Sequence, residues 1–145
     1  MSYRGKFRPS HPAKYKGDPT NIIYRSLWEK KFMVWCDKNT NVLEWASEEI
    51  VIPYRSPMDN RFHRYYPDFY VKARTKDGKS SRRVIEIKPK HQTAPPKRTT
   101  KKSKRLLIKE TMTYGINKAK WKAARQYCRQ RGMDFVILTE KELGV

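Results

Sequence analysis

The fold is decided by two short segments of the sequence, Tyr65-Tyr66-Pro67-Asp68-Phe69-Tyr70-Val71 and Val84-Ile85-Glu86-Ile87-Lys88-Pro89. Both have the alternating or continuous apolar pattern of half-buried or buried β-strands. The residues between them, Lys76-Asp77-Gly78-Lys79, are typical of a turn. The sequence therefore predicts a β-hairpin with Asp68 on its first strand and Glu86 and Lys88 on its second. Because Pro67 cannot donate a ladder hydrogen bond, we expect a kink or a strand edge beside Asp68.

The hairpin places acidic and basic side chains together. Residues two apart in a strand share a face, so Glu86 and Lys88 point the same way. Ile85 and Ile87 lie on the opposite face, which we expect to be buried. With Asp68, this arrangement supplies two carboxylates, which are oxygen ligands suited to Mg²⁺ or Mn²⁺, and an amine to sit beside a phosphate. The alternative is a solvated hairpin face with an ordinary Glu–Lys ion pair.

Length and charge limit the class of protein. The chain has 145 residues, which fits one domain with a modest core. Its 34 Lys and Arg against 14 Asp and Glu give a net charge of +20, so we expect a polyanionic partner. The apolar runs are too short to cross a bilayer, and no membrane partner is expected. Cys36 and Cys128 are predicted to be ordinary core thiols in a reducing setting.

Two segments are strongly basic. Residues 1–17 contain no acidic residue and predict an extended basic arm, which either contacts DNA or a partner or is a disordered tail. Residues 18–145 predict a single domain. Within it, residues 88–109 hold nine Lys or Arg and no acid, so we predict a basic, mobile loop at 89–112 that clamps DNA or is a solvated insert. The predicted DNA-binding residues are Lys90, Lys97, Arg98, Lys101, Lys102, Lys104, Arg105, Lys118 and Lys122.

A third acid lies in the first predicted helix. This helix opens with Asp18 as N-cap and Pro19 in its first turn, and runs to about Asp37. An apolar stripe at helical spacing is formed by Ile22, Phe32, Met33 and Cys36. Glu29 falls inside this stripe, where an unpaired carboxylate is costly. It is therefore either a structural salt-bridge partner or a third acid that reaches the Asp68 site.

Before the hairpin, the sequence predicts a short extended segment at 42–45 and a strand at 48–54 that is ended by Pro53. After the basic loop, it predicts a helix at 116–131 that is stopped by Gly132, a strand at 134–138 and a capped helical turn from Thr139. The buried face of the second helix is predicted to be Asn117, Trp121, Ala124 and Cys128. This order of elements is typical of an α/β fold with a mixed sheet of about four strands flanked by helices. The final strand is expected to be parallel to its neighbour, after a right-handed crossover.

Several strings in this sequence resemble a known family: residues 18–29, 44–54 and 135–140, together with His63-Arg64-Tyr65-Tyr66-Pro67-Asp68-Phe69-Tyr70 and Asn117-Lys118-Ala119-Lys120-Trp121-Lys122-Ala123-Ala124. They are similar to the head completion nucleases of T-even-type tailed bacteriophages and, more distantly, to the nuclease subunit of cut-and-paste transposases. Pro67-Asp68 followed by Glu86-Ile87-Lys88 resembles the motif of the PD-(D/E)xK nuclease superfamily. The resemblance implies a restriction-endonuclease-like fold and Mg²⁺-dependent DNA cleavage, with Mn²⁺ able to substitute.

The same resemblance implies roles for the site residues. Asp68 and Glu86 are expected to ligate Mg²⁺ with the Ile87 backbone carbonyl, and Glu29 to serve a second metal. Lys88 is expected to orient the attacking water or stabilise charge on the scissile phosphate. The expected partners are DNA and the phage head, its portal or other head completion proteins, in the virion or the assembling head in the host cytoplasm.

Two other classes remain open. A non-catalytic DNA-binding plug of the head connector would need the positive charge but not the geometry of Asp68, Glu86 and Lys88. An RNA-binding basic domain of the common sheet type would show an aromatic RNA-binding motif, which the sequence lacks.

Overall fold

A computed structural model describes residues 3–145 of the chain, so the first two residues of the predicted arm lie outside the described part. In chain order, the elements are β1 (Gly5–Phe7), a 3-10 helix (Pro12–Lys14), β2 (Ile22–Tyr24), α1 (Leu27–Lys38), β3 (Val42–Ser47), β4 (Ile52–Arg55), β5 (Phe62–Tyr65), β6 (Phe69–Arg74), β7 (Ser80–Ile87), a second 3-10 helix (Lys90–Thr93), α2 (Lys104–Gln130), β8 (Asp134–Leu138) and α3 (Glu140–Leu143).

The central sheet has four strands in the order β3-β6-β7-β8. β6 and β7 form the predicted hairpin, with Phe69 opposite Ile85 and Arg74 opposite Ser80. β8 is parallel to β7, and the other pairs are antiparallel. The prediction of an α/β fold with a mixed four-stranded sheet is confirmed.

Each face of the sheet carries its own hydrophobic layer. One layer joins α1 and the β1–β2 hairpin to the sheet through Phe7, Tyr15, Ile22, Phe32, Met33, Cys36, Val42, Trp45, Phe69, Val71 and Ile85. The other joins α2 and the β4–β5 hairpin through Ala46, Tyr70, Val84, Cys128 and Met133, and through Ile52, Tyr54, Tyr65, Trp121 and Ala124. Ile85 packs in the first layer, and Ile87 packs against it, as the alternation of β7 predicts. Both cysteines are buried and free, as expected.

The chain breaks sharply at Pro67, which is fully buried. β5 ends at Tyr65 and β6 begins at Phe69, and the two strands belong to different sheets. β5 pairs with β4, so the chain leaves one sheet and enters the other at Asp68. The predicted kink is confirmed, and the chain changes direction at Asp68.

The predicted start of the first helix is wrong. α1 begins after Ser26, whose hydroxyl accepts a hydrogen bond from the Glu29 N–H at 3.2 Å. Asp18 instead accepts the Thr20 N–H at 2.9 Å in a local turn. The apolar residues Ile22 and Ile23 then form β2, because β-branched side chains favour a strand when a partner strand is present.

The predicted extended arm is also wrong for the described residues 3–17. Phe7 and Tyr15 are core residues. The buried Asp37 carboxylate accepts the N–H groups of Ser10 and His11 at 2.8 and 2.9 Å. Lys14 donates to the carbonyls of the α1 C-terminus, including that of Asn39 at 2.7 Å. This basic segment is held because the free carbonyls of a helix end accept its donors.

Two further boundaries differ from the prediction. The predicted strand at 48–54 is β4, which is shorter, while the segment expected at 42–45 is the edge strand β3 of the main sheet. α2 begins at Lys104, after the N-cap Ser103, so the last nine residues of the predicted loop 89–112 are helical. Leu, Lys, Arg and Glu there are good helix formers, and Lys102 pairs with Glu110 at 3.0 Å. Mobility of residues 89–103 stays a prediction.

The end of the chain folds as expected. α2 buries Asn117, Trp121, Ala124 and Cys128 and ends before Gly132, which has φ of +67°. Thr139 and Glu142 form the predicted capping box of α3. Among the described residues, none of the helices has the length and apolarity needed to span a bilayer.

Candidate active site

Asp68 and Glu86 are brought together by the break at Pro67 and the last residues of β7. The Asp68 Oδ2 accepts the Ile87 N–H at 2.7 Å, which ties the carboxylate to the end of β7. β8 supports this end from the other side, with Ile137 opposite Glu86. The Lys88 N–H donates to the Leu138 carbonyl at 3.0 Å. Asp68 on one side and β8 on the other therefore fix the segment that carries Glu86 and Lys88.

The two carboxylates lie in a desolvated place, since Glu86 is only 5% exposed. Burial, followed by the charge of Glu86, raises the pKa of Asp68 well above its ordinary value. The Ile87 N–H and the Lys88 charge act in the opposite direction. Asp68 is half-buried and Glu86 is buried, and two close carboxylates in such a place are costly to ionise together unless a cation compensates them.

The donor set fits a divalent cation. Mg²⁺ is commonly held by one or two carboxylates, with water and substrate oxygens completing its shell. Within residues 3–145, no three His, Cys, Asp or Glu side chains meet as a ready-made metal cluster. Asp68 and Glu86 form a pair, which is the number that such a partly hydrated cation requires.

Glu29 stands on the other side of Asp68, in the first turn of α1. Burial, and then the charge of Asp68, raises the pKa of Glu29. Its carboxylate is 3.4 Å from the Ser26 hydroxyl. In the described part of the chain, Glu29 forms no ion pair with a Lys or Arg. Its position beside Asp68 favours the functional interpretation over the salt-bridge one.

Two open hollows meet at Asp68 and Lys88. One, of about 560 Å³, also contains Glu86. The other, of about 670 Å³, also contains Glu29 and Ile87. The structure therefore places the four predicted catalytic residues along one surface, with Asp68 and Lys88 at its centre and Glu29 and Glu86 on either side.

Glu48 and Arg25 belong to this surface, although sequence analysis missed both. They form an ion pair at 2.6 Å and line the hollow that contains Glu86. Glu48 has φ of +54°, which is uncommon for a residue other than glycine, and its N–H donates to the Asp68 carbonyl at 3.1 Å. Such backbone strain clusters at functional sites. The sequence carries no signal for this conformation.

Aromatic and basic groups form the rest of the same hollow, with Arg64, Tyr66 and Lys120 on its walls. Tyr65 is buried beneath, and its hydroxyl has no hydrogen-bond partner among the described residues. Burial, and then the Glu86 charge, raises the pKa of Tyr65. The Lys120 ammonium lies 5.6 Å from the Tyr65 ring centre. The position of Lys120 at this hollow depends on how α2 packs against the β4–β5 hairpin. Helical spacing in the sequence alone could not predict it.

The predicted DNA-binding residues line neither of the two hollows at the carboxylate pair. Exposed side chains are those of Lys90, Lys97, Arg98, Lys101, Lys104, Arg105, Lys118 and Lys122. Lys102 is half-buried and engaged with Glu110 and with the Lys97 carbonyl. Lys90 is anchored through its backbone, whose N–H donates to Glu140 at 2.8 Å.

A mixed sheet that presents an acidic pair and a lysine at the end of a central hairpin is consistent with an endonuclease, and a family comparison gives the same class. Residues 39–140 match the family model described as TnsA-like endonuclease N terminal. The matched range contains Asp68, Glu86 and Lys88, while Glu29 lies before it.

A comparison of the whole chain with individual proteins identifies a nuclease relative. The chain is 42% identical over 146 residues to the Head completion nuclease of Enterobacteria phage T4, and the match covers 99% of this chain and 95% of that protein. The chain therefore belongs to the head completion nuclease family, as its sequence strings suggest.

Proposed function

We propose that this nuclease hydrolyses phosphodiester bonds of DNA with the help of a divalent cation, after DNA packaging and before head–tail joining. The observation that carries the proposal is the desolvated Asp68–Glu86 pair with Lys88 beside it, at the meeting point of two open hollows.

Asp68, Glu86 and the Ile87 carbonyl are the proposed ligands of the cation. Mg²⁺ is the proposed physiological ion, and Mn²⁺ should replace it because both prefer carboxylate oxygens. When bound, the cation would supply a Lewis acid at the scissile phosphate. Glu29 is the proposed acid of a second cation position, since it approaches Asp68 from the opposite hollow.

Lys88 is the proposed charge-stabilising residue. Its backbone is fixed by Leu138, and its side chain lines both hollows. A phosphate that enters beside Asp68 would meet this ammonium group, which stabilises negative charge as it develops in the transition state. Arg25 and Arg64 line the same hollow and are suited to bind neighbouring phosphates.

The exposed basic residues of 90–105 and of α2, with the net charge of +20, favour phosphate-based binding with weak sequence preference. DNA is therefore the proposed substrate, and head, portal or other head completion proteins are the proposed partners, in the assembling head or virion. The T4 relative is a head completion nuclease, which supports the head assignment.

Glu86→Gln tests the proposal because it keeps size and removes a charge from the carboxylate pair. We expect Mn²⁺ affinity and cleavage to collapse while the protein stays folded and its DNA affinity holds or increases. The matched control is Glu49→Gln, at an exposed residue that lines neither of the two hollows. Thermal melting, Mn²⁺ titration and cleavage rate at saturating DNA are measured for each variant.

The outcomes separate two functions. A folded Glu86→Gln variant that cleaves at the parent rate would overturn the catalytic assignment. A parent protein that binds DNA but cleaves nothing with Mg²⁺ or Mn²⁺ would favour the plug. Cleavage that is unchanged in EDTA would remove the metal from the proposal. Phage complementation by Glu86→Gln then asks whether head completion needs the cut or only the protein.

A further inference from the structure

The β4–β5 hairpin has one face that the core does not use. Directly paired residues share a face, so Pro53, Arg55, Phe62 and Arg64 form the outer face of this two-stranded sheet. All four are exposed. The inner residues Ile52, Tyr54 and Tyr65 pack against α2 through Trp121 and Ala124. The outer face is therefore free, while the hairpin beneath it is held by the core.

Phe62 is the most unusual residue of this face. It is 67% exposed, more than any of the other large apolar side chains of the described chain. Its ring lies under the Arg55 guanidinium, with 4.9 Å between the guanidinium carbon and the ring centre. A strand that is held by the core thus exposes an aromatic ring beside a positively charged side chain. Exposure of such an apolar surface to water is unfavourable.

This face leads directly into the candidate active site. Arg64, two residues after Phe62 on the outer face, lines the hollow that contains Asp68 and Glu86. The end of β5, Tyr65, is three residue steps from Phe62, which is about 10 Å along a strand. Duplex DNA rises about 3.4 Å per base pair, so this length corresponds to roughly three base pairs.

The charge of the hairpin suits a nucleic acid. Arg55, Arg61 and Arg64 are exposed, and the acid of the tip, Asp59, is engaged with the His63 ring at 2.7 Å. Arginines on either side of an exposed apolar side chain are typical of surfaces that contact phosphates and press a wedge against a base step.

We infer that the outer face of the β4–β5 hairpin grips duplex DNA a few base pairs from the scissile phosphate, with Phe62 as a wedge in a base step and Arg55 and Arg64 on the flanking phosphates. The inference rests on the proposed nuclease function and adds a positioning device to it. The wedge unstacks one step at a fixed distance from Asp68, so it sets where along the duplex the cut falls.

The experiment compares Phe62→Ala with Trp35→Ala, because leucine could itself act as an apolar wedge. Trp35 is 49% exposed on α1, on the opposite side of the sheet, so both variants remove an exposed aromatic ring. Phe62→Trp restores a ring at the site. Affinity is measured in EDTA by fluorescence anisotropy on a short duplex, and unstacking is measured by the fluorescence of 2-aminopurine placed at successive positions.

We expect Phe62→Ala to weaken binding by about tenfold or more and to abolish the 2-aminopurine signal. Trp35→Ala should bind within about twofold of the parent, and Phe62→Trp should keep the signal. The salt slope should be unchanged in Phe62→Ala, because no phosphate contact is lost. Melting curves establish that each variant is folded.

The inference is overturned if Phe62→Ala binds like the parent, or if the parent unstacks no position of the duplex. Both readouts are made without metal and without cleavage. An inactive parent in Mg²⁺ and Mn²⁺ is therefore a separate failure, which contradicts the proposed nuclease chemistry and leaves the binding result to decide on the wedge.

Discussion

Asp37 and Asp68 are two desolvated aspartates of the same chain with opposite surroundings. Asp37 accepts two backbone N–H groups, from Ser10 and His11. Asp68 accepts one, from Ile87, and faces the Glu86 carboxylate. The comparison shows that burial alone does not mark an acid as functional. Asp37, which its neighbours satisfy, links the N-terminal segment to α1, while Asp68, which Glu86 opposes, is the proposed cation ligand.

The largest expected difference concerns catalysis. Asp68→Asn should lower the cleavage rate by about 10²–10³-fold or more, because it removes charge at the centre of the site. Asp37→Ala should cleave within about twofold of the parent at temperatures well below its melting point. Initial rates on linear duplex DNA in Mg²⁺ check both variants. An Asp68→Asn protein as active as the parent would contradict the distinction between the two acids.

The second prediction concerns the fold. Asp37→Ala should lower the free energy of unfolding by about 2 kcal/mol, because two N–H groups lose a charged acceptor and water replaces it only in part. Urea denaturation of parent and variant measures this loss. A change below about 0.5 kcal/mol would show that the N-terminal segment is held by Phe7 and Tyr15 instead.

The third prediction has the opposite sign. Asp68→Asn should raise the free energy of unfolding of the metal-free protein by roughly 0.5–2 kcal/mol, since the amide keeps an oxygen for the Ile87 N–H and removes the repulsion of Glu86. Urea denaturation in EDTA provides the measurement. A destabilised variant would mean that Lys88 already compensates Asp68 without metal.

The fourth prediction concerns pH. The pKa of Asp68 is raised in the folded protein, so between its unfolded value of about 4 and the raised value the folded state binds more protons. The stability of the metal-free parent should therefore fall, relative to Asp68→Asn, as pH rises through that window. The difference should vanish below about pH 4 and reach a plateau above the raised pKa. Melting temperatures of both proteins in EDTA, as a function of pH, test the sign.

The smallest effect is expected at the His11 ring. It lies 3.7 Å from Asp37 and is 61% exposed, so the ion pair is weak even when His11 is protonated. His11→Gln keeps the backbone N–H that Asp37 binds and should change the free energy of unfolding by less than about 1 kcal/mol. A larger loss, measured by the same urea titration, would assign the anchoring of the segment to the side chain.

Local signals predicted the centre of the fold well. The alternation in β7 placed Glu86 and Lys88 on one face, and the parallel position of β8 followed from the helix that precedes it. The turn at 76–79 and the capping box at Thr139 depend on side chains only a few positions apart. These features could be predicted because the interactions that create them are close in sequence.

Long-range partners explain the errors. Residues 22–24 became a strand because β1 lies beside them, and the basic segment 3–17 became ordered because Lys14 meets the carbonyls at the end of α1. A prediction from composition assumes that a lysine is solvated, because the composition holds no information on an acceptor 25 residues away. For the same reason, Arg25, Glu48 and Lys120 were missed as residues of the site.

The hydrogen bond between the Lys88 N–H and the Leu138 carbonyl gives the protein an order of assembly. During synthesis, the β6–β7 hairpin leaves the ribosome well before β8, because all of α2 lies between them. A nascent chain therefore carries Asp68, Glu86 and Lys88 without the strand that fixes the last two. The arrangement proposed for catalysis is therefore complete only after one of the final segments of the chain has docked.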